Sequence, residues 1–445
     1  MNFVDSYSKS GRKPSILTFL VLFSCFLFFF AGNSLNVTIF SIGIRLTEII
    51  LFIVSAFTFF YIKTRHKIKL FSHFLKDPIS LLFIWIVFSS FVSILLTLVG
   101  IYTFQSLLEG ILYPIRLLFF VFVVYIYKNY FDLLGIKHSK IENIIIRAFL
   151  LTCLVGFVQY FLFPRARDFY YLFLKIGVNW YYGSDPHIGR MVGLYFDPNY
   201  FSSILIIPTA ITIKNLFNEK DSSSRAKHLL FLIIFVASIL LTKSRSGFLG
   251  LIVLLPIQLI YTGIKKQNYP LIIVFMIISL FTIIILPFLN ISVVNRVLSG
   301  VSDPSAQSRF WKWKIGIDAF ASSPVLGIGF NMSKAYYETV NYSIVGTGND
   351  SSLIQVLMCS GTIGIIIFLF YLFNLFRNNK INPEYKFVYL AGLVICNFNE
   401  LLFNPLWFFP ITLLITNSYY YKRNIVFKKK IRDLLIINNI YEIVK

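Results

Sequence analysis

Acid is scarce in this sequence: 19 Asp and Glu stand against 41 Lys and Arg, a formal net charge of +22 over 445 residues. Charged residues of both signs amount to only 13%, while hydrophobic residues reach 57% and aromatics 18%. That excludes a soluble domain, because so little polar surface cannot cover so much apolar surface. Cysteine is also sparse. Cys25, Cys153, Cys359 and Cys396 all fall in apolar stretches without metal-site spacing, so they imply no disulfide framework and read as small buried hydrophobes. Segments of ~10 alternating residues, the mark of an outer-membrane barrel, are missing.

Long apolar runs are what the chain does have. About twelve windows approach the ~20 residues that cross a core of ~30 Å. They are Ile16–Ala31, Leu46–Ile62, Ile79–Gly100, Gly110–Tyr127, Asn143–Phe163, Tyr200–Leu216, Leu229–Thr242, Gly247–Gly263, Pro270–Leu289, Ser351–Phe376, Tyr385–Phe403 and Leu406–Tyr421. In lipid the backbone polar groups have no other partner, so each run is expected to be a helix. The fold class that follows is an all-α polytopic membrane protein, one integral membrane domain over 1–445.

The basic residues sit in every second connection. The clusters are Lys9 to Lys13, Lys63 to Lys76, Lys128 to Lys140, Lys214 to Lys227, Lys265 and Lys266, Arg377 to Lys386, and the tail from Lys422. This is the positive-inside pattern. It places both termini in the cytoplasm and keeps the N-terminal run as a first span rather than a cleaved signal peptide. The expected partner is therefore the lipid bilayer and not nucleic acid, with the basic tail 422–445 favouring anionic headgroups. On the outer side two connections are long, 164–199 and 290–350. Phe169, Leu172, Phe173 and Ile176 have helical spacing in the first; Phe310, Trp313, Ile317 and Phe320 have it in the second, where Pro324 ends the helix. Both stripes predict short interfacial helices, which either anchor at the interface or flank a site.

The second connection is chemically the richest part of the chain. From Arg309 to Gly364 it runs through RFWKWKIGIDAF, SSPVLGIGF and NDSSLIQVLMCSGTIG. Cations, aromatics, a Gly-x-Gly turn and a carboxylate at the brink of a span, Asp350, are not needed by scaffold; a site for an anionic lipid-linked substrate needs them. Together with RMVGLYFDPNYFSS (Arg190 to Ser203) and LTKSRSGFLGL (Leu241 to Leu251), this ordered set resembles the O-antigen ligase and polymerase superfamily. The ligase branch shows a His-Asn pair just before the last of these spans. Here Asn349 and Asp350 stand there instead, so the chain looks most like a Wzy-type O-antigen or capsule repeat-unit polymerase. The resemblance implies a GT-C-like glycosyltransferase of about 12 spans with two large periplasmic loops in the bacterial inner membrane. It also implies undecaprenyl-diphosphate-linked oligosaccharides as substrates, with a chain-length regulator and a flippase of the same pathway as partners.

In the implied reaction, an acceptor sugar hydroxyl attacks an anomeric carbon and a lipid diphosphate leaves. The leaving group gains negative charge, so fixed cations are required, and the planar fork of Arg suits phosphate oxygens. Arg190, Arg245 and Arg309 are the candidates, each otherwise an interfacial snorkelling residue. Arg116, in YPIRLLFF, is a further candidate along a lipid-diphosphate path. A carboxylate within reach of the hydroxyl serves as general base. Asp350 is the first choice by position, with Arg309 from the same loop as its expected neighbour; the competing role is N-cap of the following span. Asp197 in FDPNY has the same ambiguity. Glu400, in CNFNELLFNP with Asn397 and Asn399 beside it, is the second choice. Arg45 and Glu48, three apart, read as a local ion pair. Trp180, Tyr181, Tyr182 and Trp311 either stack on sugars or anchor the interface. Asp185 and His187 are too few to hold an ion, so neither a metal nor a cofactor is expected. A ligase and a lipid-linked sugar transporter remain the alternatives; a transporter would place its polar groups near the midplane of several spans.

Overall fold

The computed structural model describes residues 16–32, 36–39, 42–66, 74–134, 136–174, 187–195, 197–266, 304–339 and 350–418. The expected span Pro270–Leu289, the basic tail, and the aromatics at 180–182 lie outside these residues. The described chain is mostly helical, and its strands form one short antiparallel hairpin, β1 (Asn36–Ile39) and β2 (Ile42–Arg45), which pairs Asn36 with Arg45 and links the first two helices.

Those helices are α1 (Ile16–Ala31) and α2 (Leu46–His66). They are followed by α3 (Ile79–Leu98), α4 (Phe104–Leu134), α5 (His138–Leu162) and the short α6 (Ala166–Leu174). Next come α7 (Pro198–Ile204), α8 (Ile206–Asn218), α9 (Ser222–Leu241) and α10 (Arg245–Lys265). Beyond the gap lie α11 (Pro304–Ser322), α12 (Ser333–Thr339), α13 (Ser352–Arg377), α14 (Pro383–Ile395) and α15 (405–418). Eight helices among the described residues are long and apolar enough to cross a membrane, α7 and α8 counting as one. The chain is thus an all-α polytopic membrane protein.

The window boundaries need correcting in two places. The fourth window is only the middle of the 31-residue α4. The eleventh stops at Ile395, and 396–404 is irregular although Leu401, Leu402 and Phe403 are apolar and buried.

Hydroxyls inside the spans are satisfied by their own helices. Ser89 donates to the Trp85 carbonyl at 2.6 Å and Thr209 to the Leu205 carbonyl at 2.7 Å. The core is aromatic: Phe28 and Phe29 meet Phe409 edge-on and stacked, and Trp85 stacks on Phe403 with centroids 4.7 Å apart.

Two polar features organise the bundle. At one end Glu142, 2% exposed, collects Lys214 from α8, His138 one turn earlier at 3.3 Å, and the Tyr385 hydroxyl from α14; Asn417 of α15 lies 2.8 Å from His138 Nδ1. Lys214 and His138, both within the basic connections, are thereby folded into the bundle. On α4, Lys128 pairs with Asp132 one turn on at 2.9 Å. Because α5, α8, α14 and α15 all start or end here, their other ends define the opposite pole.

The second feature is a break in α13. Gly361 leaves the helix with φ 57° and ψ −161°, and the 323–330 turn fills the gap. Ile328 and Gly329 donate N–H to the Met358 and Cys359 carbonyls at 2.9 and 3.0 Å, while Thr362 N–H reaches the Pro324 carbonyl at 2.9 Å. Phe330 N–H goes to the Ser89 carbonyl of α3 at 3.0 Å. Nine residues into α13 correspond to roughly 14 Å at ~1.5 Å per residue. The Gly-x-Gly turn therefore re-enters the bundle, and its backbone is satisfied by the broken helix it plugs.

Candidate functional site

The three motif-bearing stretches converge at the pole opposite Glu142. The loop ahead of α7 is strapped to the ends of α5 and α9. Val192 N–H donates to Gln159 Oε1 at 3.0 Å, Gln159 Nε2 donates to the Arg190 carbonyl at 3.4 Å, and Met191 N–H donates to the Leu241 carbonyl at 3.0 Å. This aims Arg190 across the turn that follows α9. Its Nε donates to the Thr242 carbonyl at 2.8 Å, Nη2 donates to Asn199 Oδ1 at 3.4 Å, and Nη1 lies 3.5 Å from His187 Nδ1.

From Asn199 the polar chain continues inward. Ser244 Oγ donates to Asn199 Oδ1 at 2.9 Å and lies 3.0 Å from Ser246 Oγ. Asn399 Nδ2 donates to Ser246 Oγ at 2.9 Å and to Ser203 Oγ at 3.4 Å. The Ser-Arg-Ser-Gly turn has a steric reason as well: a Cβ on Gly247 would stand 2.3 Å from Ser202 Cβ, so only glycine lets α10 and α7 approach this closely. Asp197 settles into its structural role as N-cap of α7, accepting from the Asn199 and Tyr200 amides at 2.6 and 3.0 Å.

The start of α13 is stitched to the irregular 396–402 segment. Ser352 N–H donates to the Cys396 carbonyl at 2.8 Å, its Oγ donates to the Asn399 carbonyl at 3.3 Å, and Leu402 N–H donates to that Oγ at 3.1 Å. Asp350 and Glu400 thus project from adjoining backbone segments. Asp350 does not cap α13: Ser351 is the N-cap, its side chain accepting from Ile354 N–H at 3.3 Å. Asp350 instead has φ 52° and accepts from Lys312 Nζ of α11 at 2.8 Å.

Glu400 acts electrostatically on three tyrosines from different elements: Tyr113 of α4, Tyr200 of α7 and Tyr337 of α12. The Tyr113 hydroxyl donates to the Phe403 carbonyl at 3.0 Å. Asp197 and Asp350 also reach Tyr200. Burial holds the Tyr337 phenol well above its ordinary value, and Cys359, Glu400, Tyr336 and Asp350 push the same way.

Of the other candidates, Arg245 opens α10 next to the Ser244 cap and Arg309 lies one turn ahead of Lys312 in α11, both half-buried. Arg116 is set apart from this polar chain. Its Nε and Nη2 fork onto Glu48 at 2.8 and 2.5 Å, and Arg45 Nη1 reaches the same carboxylate at 2.5 Å, so the local pair read from spacing is part of a buried triad. Phe169 packs inward on Phe163, with centroids 5.5 Å apart, whereas Phe310, Trp311 and Ile317 of α11 are exposed. Trp313 meets Phe398 at 6.1 Å.

Sequence reasoning missed Lys312, the Asn199–Ser244–Ser246–Asn399 chain and the tyrosines around Glu400. Lys312 was within reach of it, since it follows Arg309 by three and shares its helix face. The others depend on contacts between distant segments and left no local signal.

Residues 230–369 match a family model described as O-antigen ligase. No curated protein and no solved structure matches the chain. The matched region spans the KSRSG turn, α10, α11 with Lys312 and Arg309, the re-entrant turn and most of α13. Members of that family are glycosyltransferase-like membrane enzymes, and the match supports the chain's membership of the O-antigen ligase and polymerase superfamily.

Proposed function

We propose that the protein polymerises undecaprenyl-diphosphate-linked oligosaccharide repeat units at the outer face of the bacterial inner membrane, transferring the growing glycan to a new lipid-linked unit. The observation that carries this is the convergence of the three superfamily-like stretches at one pole: Arg190, Asn199, Ser244 and Ser246 bond the first two, and Asn399 joins them to Ser352 of the third. Both termini are cytoplasmic in this reading, 164–199 and 290–350 face outward, and the Glu142 end faces in. A chain-length regulator and a flippase of the same pathway are the expected partners.

Arg190, Arg245 and Arg309 take the diphosphate of the leaving lipid. Fixed donors of this kind are worth ~3–4 kcal/mol each in well-studied sites. Arg116, oriented by Glu48, is the further candidate along a lipid-diphosphate path. Asp350 accepts the proton of the attacking hydroxyl, worth roughly 10²–10⁴-fold, and Glu400 is the alternative acceptor beside it. Asp350 is favoured because Ser351 relieves it of capping. The C–O bond to the diphosphate breaks as the new glycosidic bond forms, and the arginines neutralise the oxygen that departs. The transfer proposed is metal-independent, since guanidiniums supply the charge.

The polymerase is preferred to the ligase on the Asn349–Asp350 sequence, where the ligase branch carries His-Asn. Purified protein given lipid-linked repeat units separates the readings. Oligomers on the lipid carrier are the expected product. Transfer only to lipid A-core makes it a ligase, and translocation without covalent change makes it a transporter.

A further inference from the structure

We propose that Lys312 is a positioning residue that presents the Asp350 carboxylate to the acceptor hydroxyl; this rests on the glycan-transfer reading of the same site. Four observations point to it. Asp350 is not the helix cap, because Ser351 is. Its backbone is left-handed at φ 52°, a conformation that costs a non-glycine residue energy, though Asp tolerates it better than most. Its side chain meets the Lys312 ammonium at 2.8 Å, with 13% of the Lys312 side chain exposed and 39% of Asp350. The carboxylate thus keeps an open side while the lysine is packed.

The frame that holds the pair is a single helix. Asp350 stands immediately ahead of the α13 cap, and the backbone two residues on is bonded to 396–402. Lys312 reaches the same place through α11, whose C-terminal end runs into the turn that plugs the α13 break at Gly361. Both partners are therefore referenced to α13 at two points along its length. A lysine on a flexible four-carbon stem is ordinarily a loose point charge; here packing and that double anchor fix it.

The test uses the full-length protein, with lipid-linked repeat units as substrate, and reads kcat, KM, protein level and melting midpoint. Lys312→Met is expected to keep the level and the midpoint. It should lower kcat by about 10–100-fold, the scale on which small misplacements of reacting groups act, and leave KM within about two-fold. Lys312→Arg, which preserves the cation, is expected to retain most of the turnover. The decisive comparison lies within the lysine series. A merely structural lysine predicts that any loss of turnover in Lys312→Met follows a loss of protein level or midpoint, whereas a positioning role predicts the loss with both intact and its rescue by Lys312→Arg. Wild-type kcat in Lys312→Met, or a kcat loss in that variant that tracks a lowered midpoint, overturns the inference. Absence of any glycan transfer by the wild-type protein overturns the underlying reading instead, and the two failures are told apart by that control.

Discussion

Replacing Glu48 by Gln removes the carboxylate on which two guanidiniums converge while keeping its shape. Glu48 is fully buried and Arg45 is 6% exposed. The contacts are 2.5 Å to Arg45 Nη1, and 2.8 and 2.5 Å to Arg116 Nε and Nη2. The variant leaves two like charges facing each other with little solvent between them. Breaking a buried ion pair by removing one partner costs about 3–5 kcal/mol, and here one deletion strands two cations, so the upper end applies. At about 2–4 °C per kcal/mol for large domains, the midpoint should fall by about 10–20 °C. It is read in detergent at one fixed scan rate, because such unfolding is under kinetic control. Replacing the whole triad with apolar residues, Arg45→Met, Glu48→Leu and Arg116→Met together, should recover most of that loss. If Arg116 also serves the lipid diphosphate, the triple variant will be stable and yet impaired in transfer. A Glu48→Gln protein that melts within about 2 °C of wild type would refute the charge argument.

The pH response should show a second buried acid. Burial pushes the Asp77 carboxyl up to about 6 from an ordinary 3.8, against the opposing pull of Ile79 N–H, Tyr125 and Lys128. The folded state then keeps a proton that the unfolded chain releases, so stability is full below about pH 3.8 and falls by about 3 kcal/mol as pH rises through about 6; Asp77→Asn should flatten that part of a midpoint-against-pH curve. Arg190→Ala and Arg309→Ala should each lower transfer by about 100-fold at normal protein level, and full activity in both would remove the diphosphate assignment. A reporter fused after Lys334 should read as external, and a cytoplasmic reading there would invert the orientation.

Much of the fold could be read from hydropathy, because a run of apolar residues that must satisfy its backbone in lipid has only one conformation open to it. The failures fall where apolar character and helicity part company. Leu401, Leu402 and Phe403 are as apolar as any span, yet they belong to an irregular segment that the surrounding helices bury. The run PVLGIGF looks like a loop, and it re-enters the bundle. Lys214 and His138 look solvated, and Glu142 draws both inward across long separations in sequence. Capping was undecidable locally: NDSS offers four residues that can cap, and the choice depends on where α13 begins.

The candidate site was legible as segments and illegible as contacts. Arg190, the KSRSG turn and the Arg309–Gly364 stretch announce themselves because cations and glycines are costly beside lipid unless they have work there. What joins them is long-range: Asn399 to Ser246 spans 153 positions and Trp85 to Ser360 spans 275. The glycines of the stretch become intelligible only in that light. Gly327 and Gly329 have φ 75° and 90°; a Cβ on the first would meet Ser360 N at 2.5 Å and one on the second Ser93 Oγ at 2.4 Å. Gly361, at φ 57°, would place a Cβ 2.4 Å from the Val325 carbonyl oxygen. Each glycine answers to backbone or side chains from another part of the chain, so the Gly-x-Gly turn and the break in α13 form one joint. Through that joint α11 is fixed against α13, and with it the distance between Lys312 and Asp350.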